Sequence, residues 1–143
     1  MIAIDTNILV YAHRSGCPQH QDAQSTVERA AADPQGWGIA LPCLSEFWTV
    51  VTHPSCEGGP STPEQAGEFL LALVETAGPA IFLPDDGFPE RLLKAAIDLG
   101  VRGVRIFDLQ IGLLAFEGGA DELWTHDASF VQLQGLVVRD PLA

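Results

Sequence analysis

The sequence predicts an α/β protein, a three-layer sandwich around a central, mostly parallel sheet of about five strands. Short runs rich in β-branched and aromatic residues, such as "IAID", "WGIAL" and "AIFLP", alternate with stretches of helical spacing. These strands are mostly apolar, as expected of strands covered on both faces. No repeat, low-complexity tract or linker breaks the 143 residues, so a single domain over 1–143 is expected. A chain of that length buries roughly two-thirds of the surface that its unfolded form exposes, enough for a core without staples.

The elements follow in order. "IAID" is a β-branched strand that ends in polar residues, and "TNILVYAHR" shifts to helical spacing with Ile8, Tyr11 and Ala12 on one side. After the punctuation of "SGCP", "HQDAQSTVERAAA" reads as a helix stopped by "DPQG", and "WGIAL" as the second strand. "PCLSEFWTVVTH" is a helix with Pro42 near its first turn, closed before the loop "PSCEGGP". "STPEQAGEFLLALVETAG" carries Ser61 or Thr62 ahead of Glu64, with Pro63 at its start, and predicts a fourth helix. "AIFLP" is a strand; "FPERLLKAAIDLG" is a helix, and so is "FDLQIGLLAFEGG", which ends at Gly118 and Gly119. "DELWT" and "LVVRD" are short closing strands around a small "DASFVQL" helix.

Composition narrows the function. Lys and Arg number 7 against 19 Asp and Glu, a net charge of −12, the reverse of a general nucleic-acid binder. So much negative charge needs another task, such as holding cations or meeting a basic partner. Cys17, Cys43 and Cys56 are odd in number and form no CxxC pair, which fits reduced thiols rather than a disulfide framework. No basic segment precedes the first strand, and no apolar run approaches the ~20 residues that span a bilayer. A soluble, unprocessed, cytoplasmic protein without membrane contact is expected.

In open parallel sheets, ligands bind outside the carboxyl ends of the strands. Four acids map to that edge: Asp5 ends the first strand, Glu46 lies early in the helix after "GIAL", Asp108 opens the "FDLQIGLLAF" helix, and Asp127 follows "ELWT". Taken singly, an Asp near a helix start is first of all a cap that accepts backbone N–H bonds. Glu46 resists that reading, because "LSEFWTVV" looks buried and an unpaired carboxylate there is costly. Carboxylates ~4 Å apart repel by about 4 kcal/mol at an effective dielectric near 20. Such a cluster calls for a cation, and all-oxygen ligands suit Mg²⁺ or Mn²⁺.

In order and spacing, "IAIDTNILVYA", "LSEFWTVVTHP", "FDLQIGLLA" and "LWTHDASF" resemble the motifs of PIN-domain ribonucleases of the VapC toxin type. The resemblance covers nearly the whole chain. It implies a divalent-metal-dependent endoribonuclease, usually dimeric, that acts on RNA as the toxin of a toxin–antitoxin pair and is held inactive by its cognate antitoxin. By position, Asp5, Glu46, Asp108 and Asp127 would be the metal-binding, catalytic quartet. Asn7 would support waters of the metal site, and Thr6 and Thr125 would orient the carboxylates. Water activated by the cation would attack the phosphodiester in line, leaving 5′-phosphate and 3′-hydroxyl ends.

The chain departs from its relatives' pattern at Thr49, where a basic residue often follows the "EF" of the second motif, and at Ser129, where an acid or amide is frequent. Candidate phosphate contacts are few: Arg14, Arg102, Arg105 and, behind them, Arg139. Cys17-x-x-His20 and His53-x-x-Cys56 could together make a Cys₂His₂ zinc site, although such short matches arise easily by accident. Trp37, Trp48 and Trp124 could stack on bases but are expected in the core. "FLLALV" and "LLAFEGG" could line a dimer or antitoxin groove, or be ordinary buried helix faces. A phosphotransfer enzyme with a nucleophilic aspartate would need a DxD or a strand-end lysine, whereas the chain has DTN and a single lysine, Lys94, within a helix. The alternative that remains is a catalytically weak PIN-like scaffold that binds a protein partner or RNA.

Overall fold

A computed structural model describes all of Met1–Ala143. Five strands, β1 (Ile2–Ile4), β2 (Trp37–Ala40), β3 (Ala80–Phe82), β4 (Glu122–Trp124) and β5 (Val137–Arg139), form one sheet in the order β3-β2-β1-β4-β5. All four neighbouring pairs are parallel. Every residue of the central strands β1 and β2 is buried, so both faces of the sheet are covered. The expected α/β architecture with about five strands is therefore present, and the sheet is parallel throughout.

Six helices connect the strands: α1 (Thr6–His13), α2 (His20–Ala31), α3 (Leu41–Thr52), α4 (Pro63–Ala72), α5 (Phe88–Leu99) and α6 (Arg105–Glu117). Thr62 caps α4 through a reciprocal capping box with Gln65, and Pro63 occupies the first turn, where its missing N–H costs nothing. The fourth helix is not α-helical to its end: Leu73–Ala77 widen into a π-helical turn closed by Gly78 in the left-handed region (φ 60°). The Ala77 carbonyl thereby accepts a 2.9 Å bond from the indole of buried Trp37.

Two further expectations are corrected. "DASFVQL" is not a helix: Asp127 Oδ1 accepts from both the backbone N–H and the hydroxyl of Ser129, at 2.8 and 2.7 Å, and a turn at Ala128 and Ser129 is followed by irregular chain. A short polar side chain that satisfies nearby backbone in this way competes with helix formation. Trp48 is not a core residue. It sits on the outer face of α3, 40% exposed, while Trp37 is buried and Trp124 half-buried.

The strand order carries a functional consequence. From β1 the chain builds outward through β2 to β3, then returns to place β4 on the other side of β1. The crevice between the carboxyl ends of β1 and β4 is thus the topological switch point, where parallel α/β sheets bind ligands.

Candidate active site

Asp5 follows β1 at this switch point and is 5% exposed. It does cap α1, since its Oδ1 accepts from the Thr6 N–H at 2.7 Å. The cap uses only one oxygen. Oδ2 accepts from the Thr125 hydroxyl at 2.7 Å and, more distantly, from Asn7 Nδ2 at 3.4 Å. Thr125 follows β4, so this bond ties together the two strands that flank the crevice. Its hydroxyl oxygen accepts from Asn7 Nδ2 (3.0 Å) and the Asp127 N–H (3.1 Å), while Asn7 Oδ1 accepts from the His126 N–H (3.0 Å). With both acceptor positions filled, the Thr125 proton is directed at Asp5.

The other acids surround this network. Burial pushes the Asp5 carboxyl up from an ordinary 3.8 to about 6; the Thr125 and Thr6 hydrogen bonds offset part of the rise, and the charges of Glu46 and Asp127 add to it. Asp108 likewise rises to about 6, first through loss of water and then through Asp5 and Asp127, with Arg105 acting in the opposite direction. Glu46 is raised by partial desolvation, with the Thr6 hydroxyl lowering it and Asp108 raising it. These mutual influences bring all four acids into one electrostatic group.

Two local expectations change. Glu46 does not lie among buried residues: it projects from the exposed face of α3, while Cys43 and Phe47 face inward. Asp108 is not a cap either, because α6 begins one turn earlier at Arg105, and its carboxylate makes no hydrogen bond within the protein. An ionised group held at partial burial without a donor is a place where an external cation gains most.

A divalent cation can be tested against the residues present. The donors are carboxylate oxygens, the hard ligands that Mg²⁺ and Mn²⁺ take. Thr6 Oγ1 is buried without a settled hydrogen-bond partner and lies beside the Glu46 carboxylate, so a polar atom next to the acids has bonding capacity left over. No three His, Cys, Asp or Glu side chains converge as a ready-made cage. Mg²⁺ does not require one, since it keeps several waters and typically uses only one or two carboxylates. The residues fit the ion.

The remaining candidates separate. Arg105 starts α6 one turn before Asp108, and Arg102 lies in the loop ahead of it; both are exposed and unpaired. Arg14 is tied to the Glu57 carbonyl and Arg139 to Glu122 at 3.0 Å. Cys17, His20, His53 and Cys56 do not assemble a zinc site: His20 bonds the Tyr11 carbonyl and His53 bonds Ser55. A wide cleft of about 1040 Å³ near His13, Cys17, Glu57 and Phe69 contains none of the four acids, so it is not where this chemistry belongs. Sequence reasoning missed His126, whose ring pairs with Asp140 at 2.9 Å and meets Tyr11 edge-on. Its position inside "THD", between Thr125 and Asp127, was the available signal.

Fold and crevice together define a class: a parallel α/β protein with an acidic, oxygen-rich switch point. The chain belongs to the PIN-domain family, whose model matches residues 2–136. Ribonuclease VapC43 of Mycobacterium tuberculosis is 30% identical over 142 residues, covering 99% of this chain and 96% of that protein. Among solved structures, VapC20 of M. tuberculosis, described as a Sarcin-Ricin loop cleaving toxin, superposes with a TM-score of 0.68 at 15% identity, covering 91% of this chain and 92% of that one. VapBC2 of Rickettsia felis, bound to a DNA fragment from its promoter, gives 0.67 at 21% identity, covering 98% of each chain. The resemblance read from the four motifs holds, and so does the expectation of a VapC-type ribonuclease.

Proposed function

We propose that residues 1–143 form one PIN-like domain that hydrolyses RNA phosphodiester bonds with Mg²⁺ or Mn²⁺ held by Asp5, Glu46, Asp108 and Asp127, and that it serves in the cytoplasm as the toxin of a toxin–antitoxin pair. The observation that carries the reading is a buried aspartate at the switch point, raised to about 6 amid three further carboxylates. When bound, the cation would make an attacking water more acidic and neutralise charge developing on the phosphoryl oxygens. The protein's own part is positional. Asp5 is held by the Thr6 N–H and the Thr125 hydroxyl, Asn7 locks the β4 end against α1, and Asp108 presents a carboxylate with no internal partner.

Kinship with VapC ribonucleases supports a cognate antitoxin as partner, and the net charge of −12 suits a basic segment of that partner. A bidentate arginine could replace the cation's charge at the rim. A homodimer is proposed on the same kinship. No helix is long and apolar enough to cross a membrane.

The test is cleavage of structured RNA with and without added Mg²⁺ or Mn²⁺, in the wild type and in Asp5→Asn. Cleavage that depends on the cation and is lost in the variant supports the reading. Undiminished cleavage in excess chelator would sink it.

A further inference from the structure

We propose that the α5–α6 turn and the hollow beside it form a nucleotide subsite next to the acidic rim, which takes one unstacked nucleotide of a single-stranded RNA segment with its phosphate on Arg102 and Arg105 and its base in the hollow. The inference rests on the ribonuclease reading above.

The first support is where free positive charge remains. Of the 7 Lys and Arg residues, five are engaged inside the protein. Arg91 holds Asp85 and Glu117, Lys94 holds Asp98 and Arg139 holds Glu122. Arg14 bonds the Glu57 carbonyl, and Arg29 bonds Thr26 while lying 5.3 Å from the centre of the Trp124 ring. Only Arg102 and Arg105 are unpaired, although 19 carboxylates compete for cations. Both lie within six residues of Asp108, and Arg105 is close enough to partly offset the rise of that carboxyl. In so acidic a chain, a polyanion that reaches Asp108 needs local cations, and these are the ones available.

The second support is the hollow itself, about 390 Å³, with walls from Leu99, Val101, Arg105, Phe130, Val131 and Gln132. That volume lies within the ~300–1,000 Å³ of small-ligand sites, and the lining is mainly apolar with a few polar groups. It sits between two elements that carry acids of the rim. Arg105 is on the turn of α6 that precedes Asp108, and the Phe130 N–H donates to the Asp127 carbonyl at 3.2 Å. A base lodged there leaves its phosphate beside the carboxylates. Gln132, whose Nε2 makes a long 3.5 Å contact with the Phe130 carbonyl, has an Oε1 left to read a base edge, and a base available to enter a pocket belongs to an unpaired strand.

The test is steady-state cleavage of a randomised single-stranded RNA pool with Mg²⁺ or Mn²⁺. It compares the wild type, Arg102→Gln with Arg105→Gln combined, Gln132→Trp, and Lys94→Gln as a control that removes an equal charge per site from a residue paired elsewhere. The double arginine variant should raise KM about tenfold while kcat stays within about twofold. The slope of its log affinity against log salt should become shallower by roughly 0.7 for each phosphate left without an arginine. Gln132→Trp, which fills the hollow, should change the base preference next to the cut when product ends are sequenced, and Lys94→Gln should match the wild type. If the wild type cuts the pool but the double variant keeps its KM and salt slope, or Gln132→Trp keeps the wild-type base preference, the subsite is overturned and the ribonuclease reading stands. If the wild type cuts structured RNA with either cation but leaves the single-stranded pool uncut, the subsite is overturned and the ribonuclease reading stands; if it leaves both uncut, the two fall together.

Discussion

Thr125 donates a 2.7 Å hydrogen bond to Asp5 across 120 residues of chain, joining the carboxyl ends of β4 and β1. Because Asn7 and the Asp127 N–H fill the acceptor positions of the same hydroxyl, the bond has one direction only. Thr125→Val keeps shape and removes the donor. It should cost about 1–3 kcal/mol in apo stability, because buried acceptors and donors lose their partner. Cleavage should drop roughly 10–100-fold, as for residues that orient ligands, and Thr125→Ser should restore most of it. Paired urea melts and cleavage rates of the two variants check this.

Thr6 offers the opposite case. Its hydroxyl is buried without a settled partner, whereas its backbone N–H is the one that Asp5 caps. Thr6→Val replaces the unsatisfied group with an isosteric methyl and leaves the cap intact. Apo stability should be unchanged or higher by up to ~1 kcal/mol, while Mg²⁺ affinity falls several-fold. Calorimetric titration of Mg²⁺ against both proteins measures the split, and equal affinities would remove Thr6 from the site.

Much of this was legible in the sequence, for reasons that can be named. β1 and β2 are short, apolar and fully buried, so period and composition gave them away, and four acids at the ends of parallel elements had to share an edge. What escaped was set by tertiary contact. The start of α6 at Arg105 rather than at Phe107 removed the capping explanation for Asp108, but "VRGVR" contains no Ser, Thr, Asp or Asn to mark it, and Val104 at the N-cap makes no side-chain bond. The outward face of Glu46 and Trp48 depends on which side of α3 meets α1, which the run "LSEFWTVV" leaves undecided. The packing of Gly38 and Gly118 against Phe82 was also unreadable. A Cβ at either would come within 2.4 and 2.1 Å of the ring, so alanine there should cost ~1–3 kcal/mol.

Charge crowding predicts how stability varies with pH. Asp5 and Asp108 have folded-state pKa values raised from 3.8 to about 6. Between those limits these two groups bind more protons in the folded protein than in the unfolded one, so their contribution to apo stability is full below the unfolded pKa and is lost as pH rises through about 6. The loss from Asp5 is on the order of 3 kcal/mol; that from the more exposed Asp108, screened by solvent, is nearer ~1 kcal/mol. Asp108→Asn should therefore melt higher than wild type at neutral pH without divalent cation and show a shallower pH slope. Asp5→Asn should gain less, because its amide must turn a donor toward either the Thr6 N–H or the Thr125 hydroxyl.

Divalent cations should reverse that ranking. An ion that binds only the folded form stabilises it by about 2.7 kcal/mol at a hundredfold excess over its dissociation constant. In the wild type the gain should be full at neutral pH and should shrink as pH falls through about 6, where Asp5 and Asp108 take up the protons that compete with the ion. In Asp108→Asn the gain should be small at every pH, since the carboxylate without an internal partner is gone. Melting curves of both proteins with and without Mg²⁺ or Mn²⁺, from mildly acid to neutral pH, contain the whole comparison. A wild type that melts at one temperature regardless of the cation, together with an Asp108→Asn that is merely less stable, would mean that these acids serve the fold and hold no ion.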